Sequence, residues 1–145
     1  MSEKSSSTIT IETPVDAVRE LLFDLASYPS WSSAIKKVEV VSSDDQNRPT
    51  KVKMSIDAGV MRDNVILDYD WSQAPGTLAF SLDDADLLTE MSGSYITSSD
   101  DDGNARVTYE LTVGLSMPVP AMMRTKAEKA TIDLALSQLK KTIEG

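Results

Sequence analysis

Lys51-Val52-Lys53-Met54-Ser55-Ile56-Asp57-Ala58 and, after Gly59-Val60-Met61, Arg62-Asp63-Asn64-Val65-Ile66-Leu67-Asp68-Tyr69-Asp70-Trp71-Ser72 form the stretch on which the fold turns. Val52, Met54 and Ile56 alternate with Lys51, Lys53, Ser55 and Asp57. Val65, Leu67, Tyr69 and Trp71 alternate with Asn64, Asp68 and Asp70, and only Ile66 breaks the outer set. A period of two with one apolar and one polar side is the pattern of a half-buried strand. Ala58-Gly59 between the two runs supplies a turn.

The same period continues through Leu78, Phe80 and Leu82, then Met91, Gly93 and Tyr95, then Val107, Tyr109, Leu111, Val113 and Leu115, with Ser81, Glu110 and Thr112 opposite. Pro75-Gly76, Asp83-Asp84-Ala85-Asp86 and Asp100-Asp101-Asp102-Gly103-Asn104 are the breaks between them. The last has oxygen ligands but lacks the spaced positions and terminal Glu of a calcium loop, so it reads as a hairpin turn, and no metal site is expected. Six consecutive strands joined by short turns give an antiparallel sheet with one wet and one apolar face.

Ahead of the sheet, Thr8 to Glu12 is a short β-branched strand, and Ser5-Ser6-Ser7 before it reads as part of a flexible terminus over residues 1–7. Thr13-Pro14 can open a helix expected from about Pro14 to Ala26, with Thr13 as cap and Val15, Val18, Leu21, Leu22 and Leu25 at helical spacing. Tyr28-Pro29 ends it, and Trp31 falls in a short second turn. The apolar face of the sheet needs a cover, and Val119 to Ile143, opened by Pro118-x-Pro120, is the segment long enough. On that helix Ala121, Thr125, Ile132, Ala135, Leu136, Leu139 and Ile143 share one stripe, with Glu128 inside it. Met123, Ala127, Ala130 and Leu134 make a second apolar face: a surface, a lid contact or a dimer patch.

Composition narrows the chemistry. The chain has 145 residues, enough for one domain over residues 1–145, with neither Cys nor His. That excludes disulfides, thiol nucleophiles, thiolate zinc sites and histidine-based triads or metal centres. Fourteen Lys and Arg against 23 Asp and Glu give a net charge of −9, which disfavours nucleic acid and anionic lipid surfaces. With a polar start and no membrane-length apolar run, the chain reads as cytoplasmic, with no stable membrane insertion. Residues 51–118 carry most of the negative charge, whereas residues 119–145 are net basic.

The order strand, helix, short helix, six-stranded meander and long C-terminal helix resembles the helix-grip fold of the START-like superfamily. That group includes polyketide cyclases/dehydrases, birch-pollen-allergen-like proteins and coenzyme Q-binding START proteins. Three stretches carry the likeness over residues 8–143. Ile11-Glu12-Thr13-Pro14-Val15-Asp16-Ala17-Val18 is similar to the family's opening "I.AP.E.V"; Asp24-Leu25-Ala26-Ser27-Tyr28-Pro29-Ser30-Trp31 is similar to its "D...YP.W", the most specific of the three; and Gly93-x-Tyr95 lies late in the sheet. The resemblance implies an α+β helix-grip fold: a curved antiparallel sheet of about seven strands around a long C-terminal helix, with two short N-terminal helices.

A grip that does not close completely leaves a cavity lined by inward strand residues, mostly apolar with a few polar anchors. Its candidate lining is Trp31, Met54, Tyr69, Trp71, Phe80, Met91, Tyr95 and Tyr109, each of which also fits ordinary core packing. Thr125 and Glu128 are candidate polar anchors, although Glu128 can equally lean to solvent and pair with Arg124 four residues back. Met61, Arg62, Met122, Met123 and Arg124 are the candidate mouth. Arg124, Lys126 and Lys129 sit where the helix dipole disfavours cations, an arrangement explained either by pairing with Asp83, Asp84 or Asp86 or by an anionic head group.

The expected function is binding or carriage of a small hydrophobic molecule (lipid, quinone or polyketide-like), with no cofactor, by a monomer or weak homodimer. The alternative is a cyclase/dehydrase-type enzyme in which Tyr69, Tyr95 or Tyr109 works with Glu128 as an acid–base pair. A ribosome-associated role, also found among such relatives, conflicts with the charge of −9.

Overall fold

The computed structural model describes residues 5–57, 62–115 and 119–145. The chain runs β1 (Ser5–Ile11), α1 (Val15–Phe23), a 3₁₀ turn (Leu25–Ser27), α2 (Tyr28–Trp31), β2 (Ile35–Ser43), β3 (Pro49–Asp57), β4 (Arg62–Asp70), β5 (Thr77–Ala85), β6 (Leu88–Ser99), β7 (Ala105–Leu115) and α3 (Ala121–Glu144). The seven strands form one antiparallel sheet in the order β1-β7-β6-β5-β4-β3-β2. Each strand of the meander pairs with the next, and β1 returns to pair with the last. Helix α3 packs on β1 and β7, and α1 and α2 lie against β6, β7 and β2. This is the helix grip that the alternation and the long final helix lead one to expect.

The inward sets predicted from the period of two are buried: Val52, Met54 and Ile56 on β3, Val65, Leu67 and Tyr69 on β4, Leu78 and Phe80 on β5, and Val107, Tyr109, Leu111 and Val113 on β7. Opposite them the wet face carries cross-strand polar pairs, such as Lys51 between Asp68 and Asp83 at 3.3 and 2.8 Å. Both faces therefore specify the same register, because a slip of one residue would exchange them.

Several expectations are corrected. Ser5, Ser6 and Ser7 are the first residues of β1, facing Leu111, Glu110 and Tyr109, rather than a flexible lead. Their polarity misled because their hydroxyls and carbonyls serve α3: Ser5 and Ser7 donate to Glu128 and Asp133, and Lys129 Nζ donates to the Ser6 carbonyl oxygen. Helix α1 stops at Phe23 because Asp24 leaves helical geometry, and Leu25–Ser27 continue as a 3₁₀ turn. Pro14, not Thr13, is the N-cap of α1; the Thr13 carbonyl accepts from Ala105 N–H instead.

Asp83, Asp84 and Ala85 belong to β5, across a register shift, and the turn lies beyond them. That turn is held by Asp63, buried on β4, whose carboxylate accepts from the N–H groups of Asp86, Leu87 and Leu88 at 3.1, 3.0 and 2.7 Å. The sixth strand of the meander is β2, whose Ile-Lys-Lys-Val-Glu-Val-Val run lacks clean alternation because it is an exposed edge with three register irregularities. The turn at Ala58-Gly59 falls outside the described residues.

Gly93 sets the shape of the concave face. It lies between Phe80 of β5 and Leu111 of β7. A Cβ there would collide with the Glu110 carbonyl oxygen and come within 3.0 Å of Phe80 Cζ. Without a side chain at Gly93, the Phe80 ring lies across β6 and approaches the ring of Tyr109 on β7, 6.5 Å between centroids. Gly93→Ala should therefore destabilise the fold by about 1–3 kcal/mol, the usual range for overpacking against an unyielding neighbour. Urea denaturation compared with Gly76→Ala, where a Cβ meets only ordinary contact, checks this; equal midpoints would refute it.

Candidate functional site

Twenty-four residues of α3 do not grip the sheet evenly. Glu128, Thr131, Ile132, Leu136 and Leu139 are buried, whereas none of residues 121–127 is. The helix is held down over its C-terminal half and stands off over its first two turns. Beneath that raised end lies an apolar groove of about 590 Å³ lined by Leu88, Val113, Leu115, Val119, Met123, Arg124, Lys126, Ala127 and Ala130. The second apolar face of α3, Met123, Ala127 and Ala130, is thus one wall, and the ends of β6 and β7 are the other. Leu88 and Val113 also belong to the main core, so the floor of the groove is the edge of the core itself.

Glu128 sits where the helix meets the sheet, 1% exposed. Its Oε1 accepts from Ser5 Oγ at 2.8 Å and its Oε2 from the Val113 N–H at 2.7 Å. The Val113 N–H lies beyond Leu111, the β7 partner of Ser5, so the carboxylate serves an edge group outside the described β1 ladder. The alternative in which Glu128 leans to solvent beside Arg124 is overturned by this burial. Thr125 is exposed and does not face the interior; it follows the stripe, but the stripe is not packed this early in the helix.

All eight candidate lining residues fall in one buried cluster: Trp31, Met54, Tyr69, Trp71, Phe80, Met91, Tyr95 and Tyr109. The rings of Tyr95 and Tyr109 stack at 4.3 Å, and Tyr69 lies 5.6 Å from Phe80. Trp71 is a fastened member of the core: its indole N–H donates to the Pro49 carbonyl, Phe23 meets it edge-on at 5.4 Å, and the Arg48 guanidinium lies over its ring. Tyr28, not singled out from the sequence, joins the set by donating to the Leu22 carbonyl oxygen; its place in a Tyr-Pro pair had marked it only as a helix stop.

Among the mouth residues, Met123 and Arg124 line the groove, while Met122, 80% exposed, does not. Arg62 pairs with Asp57 at 3.1 Å and lines a separate depression with Lys36, Asn64 and Leu87. Met61 lies outside the described residues. Pairing of the early α3 cations with the acidic strand does not describe Lys129, which donates to Ser6 and Ser7, nor Asp83, which is taken by Lys51.

Burial pushes the phenols of Tyr28, Tyr69, Tyr95 and Tyr109 well above their ordinary value, and neighbouring phenols raise Tyr28, Tyr69 and Tyr95 further. They are neutral hydrogen-bonding groups at any physiological pH and cannot act as phenolate bases. Glu128 directs both carboxylate oxygens to Ser5 and Val113, so the site offers a greasy surface with neutral polar points. Among the described residues, no cluster of three or more carboxylates could hold a metal ion, and no helix is long and apolar enough to cross a membrane.

A model of the polyketide cyclase / dehydrase and lipid transport family matches residues 2–144. A search of curated proteins finds no match to the sequence. Among solved structures, a START superfamily protein from Mycobacterium smegmatis is similar at a TM-score of 0.91 and 18% identity, over 97% of each chain. The Zhui aromatase/cyclase from Streptomyces sp. R1128 is similar at 0.71 and 16%, over 99% of this chain and 96% of that one. Ginseng major latex-like protein 151 from Panax ginseng is similar at 0.76 and 10%, over 97% of each. At these identities the likeness establishes the shared fold.

The four tyrosines of the chain are the four buried ones, which makes their ionisation easy to follow. Because their folded values are raised, their stabilising contribution is complete below the unfolded value near 10 and is lost as pH rises beyond it. Absorbance at 295 nm should stay flat through pH 10 and rise only together with loss of the far-ultraviolet signal. A phenol titrating near pH 10 in the folded protein would contradict the burial.

Proposed function

The chain belongs to the polyketide cyclase / dehydrase and lipid transport family, and from that premise we propose that it binds and shields a small hydrophobic molecule. The molecule enters beneath the raised N-terminal half of α3 and lies against the aromatic concave face of the sheet. The observation that carries this reading is the groove: about 590 Å³, walled by Leu88, Val113, Leu115, Met123, Ala127 and Ala130, and floored by the core. A helix free to pack would bury these side chains for roughly 25 cal/mol per Å² of apolar area. Their availability fits a ligand as the missing partner.

Residual exposure within the core supports the same reading. Tyr69, Trp71, Phe80, Met91, Tyr95 and Tyr109 each retain 5–8% of their surface, whereas Leu78, Val107, Leu111 and Leu139 retain none. The aromatic side of the core is therefore less completely packed than its aliphatic side. Binding is favoured over cyclase/dehydrase chemistry because the tyrosines are held neutral and the oxygens of Glu128 are both engaged in holding α3. A net charge of −9 argues against nucleic acid, and the composition fits a cytoplasmic monomer or weak homodimer.

Filling the groove tests this. Ala127→Trp places a large ring where a ligand would pass and should lower affinity for an apolar fluorescent probe at least tenfold with little change in thermal stability. Thr125→Trp, on an exposed position of the same turn, should leave affinity within about twofold. Equal affinities in both variants and the parent would refute entry by this route.

A further inference from the structure

Trp31, the last residue of α2, is 7% exposed and belongs to the core cluster. Among the described residues its indole Nε1–H is the one buried side-chain polar group without a hydrogen-bond partner. Its neighbours are satisfied. The other indole, Trp71, donates to the Pro49 carbonyl, and Tyr28, whose ring lies 5.2 Å from that of Trp31, donates to Leu22. A buried donor left unpaired is costly enough that native proteins rarely keep one without water or ligand to satisfy it.

An indole nitrogen donates and cannot accept, so the missing partner is an acceptor. Its place in the fold is known from the chain next to it: Ser33 is fastened to Gln138 of α3 by two hydrogen bonds, at 2.9 and 2.8 Å. Gln138 lies eight residues beyond Ala130, the last groove residue on the helix, which is about 12 Å along the axis. Trp31 is therefore beside the far end of the concave face from the groove. Around it the described core holds tyrosines and aliphatic side chains, and the buried polar residues include no Lys or Arg. A carboxylate or phosphate would lose its hydration there without a counter-charge, whereas a neutral carbonyl oxygen would not pay that penalty.

The geometry points to Trp31 as the donor that selects the ligand: a neutral, apolar molecule whose leading end, about 12 Å in from the groove, carries a carbonyl-type oxygen. This rests on the ligand-binding reading above and adds a specificity that binding alone does not require. A site with a buried donor discriminates against an analogue that lacks the acceptor, because that analogue leaves the donor unpaired.

The test uses fluorene and 9-fluorenone, which share a skeleton and differ by a CH₂ in place of the carbonyl, with the full chain labelled with ¹⁵N at its two tryptophans. Fluorenone should shift the indole N–H resonance of Trp31 downfield and leave that of Trp71 in place; fluorene should not produce the downfield shift. Trp31→Phe should lower the fluorenone-to-fluorene affinity ratio about five- to twentyfold, and using the ratio removes the difference in hydrophobicity between the probes. If both probes bind but neither the resonance nor the ratio responds, the proposal is overturned while the binding reading stands, and the indole is then paired with water. If neither probe binds, both fall. Should Trp31→Phe fail to fold, the resonance shift in the parent protein decides.

Discussion

The carboxylate of Glu128 is the constraint on which the site depends. It is buried, it belongs to α3, and it is bonded to Ser5 of β1 and to the backbone of β7 at Val113. Burying a carboxylate is unfavourable unless its oxygens are well paired, so the helix is held at the one depth and rotation that bring both donors within reach. From that point toward the C-terminus the apolar residues Ile132, Leu136 and Leu139 pack down. From that point toward the N-terminus no residue of 121–127 is buried, and the groove opens. A single polar tie thus divides one helix into a packed half and a raised half, and Ser5 and Val113 are as much part of the site's architecture as the side chains that line it.

The sheet contributes the other half of the geometry. Gly93 leaves the space through which Phe80 approaches Tyr109, so aromatic rings from β4, β5, β6 and β7 meet on the concave face. Asp63 performs a comparable task at one end, gathering three backbone N–H groups of the β5–β6 turn. Arg19 of α1 ties the opposite end of β6 by donating to the hydroxyl and carbonyl oxygens of Thr97, at 2.9 and 3.2 Å. With turn and helix fixed to the frame, the raised end of α3 is the least packed part of the described concave side, which is where a binding protein needs its opening.

The alternation in residues 51–72 made the sheet legible because one face had to be wet, and the strands that depart from expectation lack that contrast. Strand β2 is exposed on most of its length, so its residues answer to edge solvation rather than to a core. The serines of β1 looked like a flexible lead because their partners, Glu128, Asp133 and Lys129, are more than 100 residues away. Glu128 lay inside the apolar stripe of α3, which is the signal of a buried charge, whereas Thr125 lay in the same stripe and is exposed. Periodicity assigns a residue to a side of a helix; whether that part of the helix is packed depends on contacts made elsewhere. The unpaired Trp31 N–H could not be read from sequence, because the same Tyr-Pro-Ser-Trp run is compatible with an indole bonded to any nearby carbonyl.

The central claim is that an apolar ligand lies between the raised half of α3 and the sheet. Its most direct measurement is a set of intermolecular nuclear Overhauser effects between a bound apolar probe and the methyl groups of the labelled protein. The account predicts contacts from the probe to Leu88, Val113, Ala127 and Ala130, and none to the exposed Val40 and Val41 of the β2 edge. Contacts confined to Val40 and Val41, with Val113 and Ala130 silent, would contradict it.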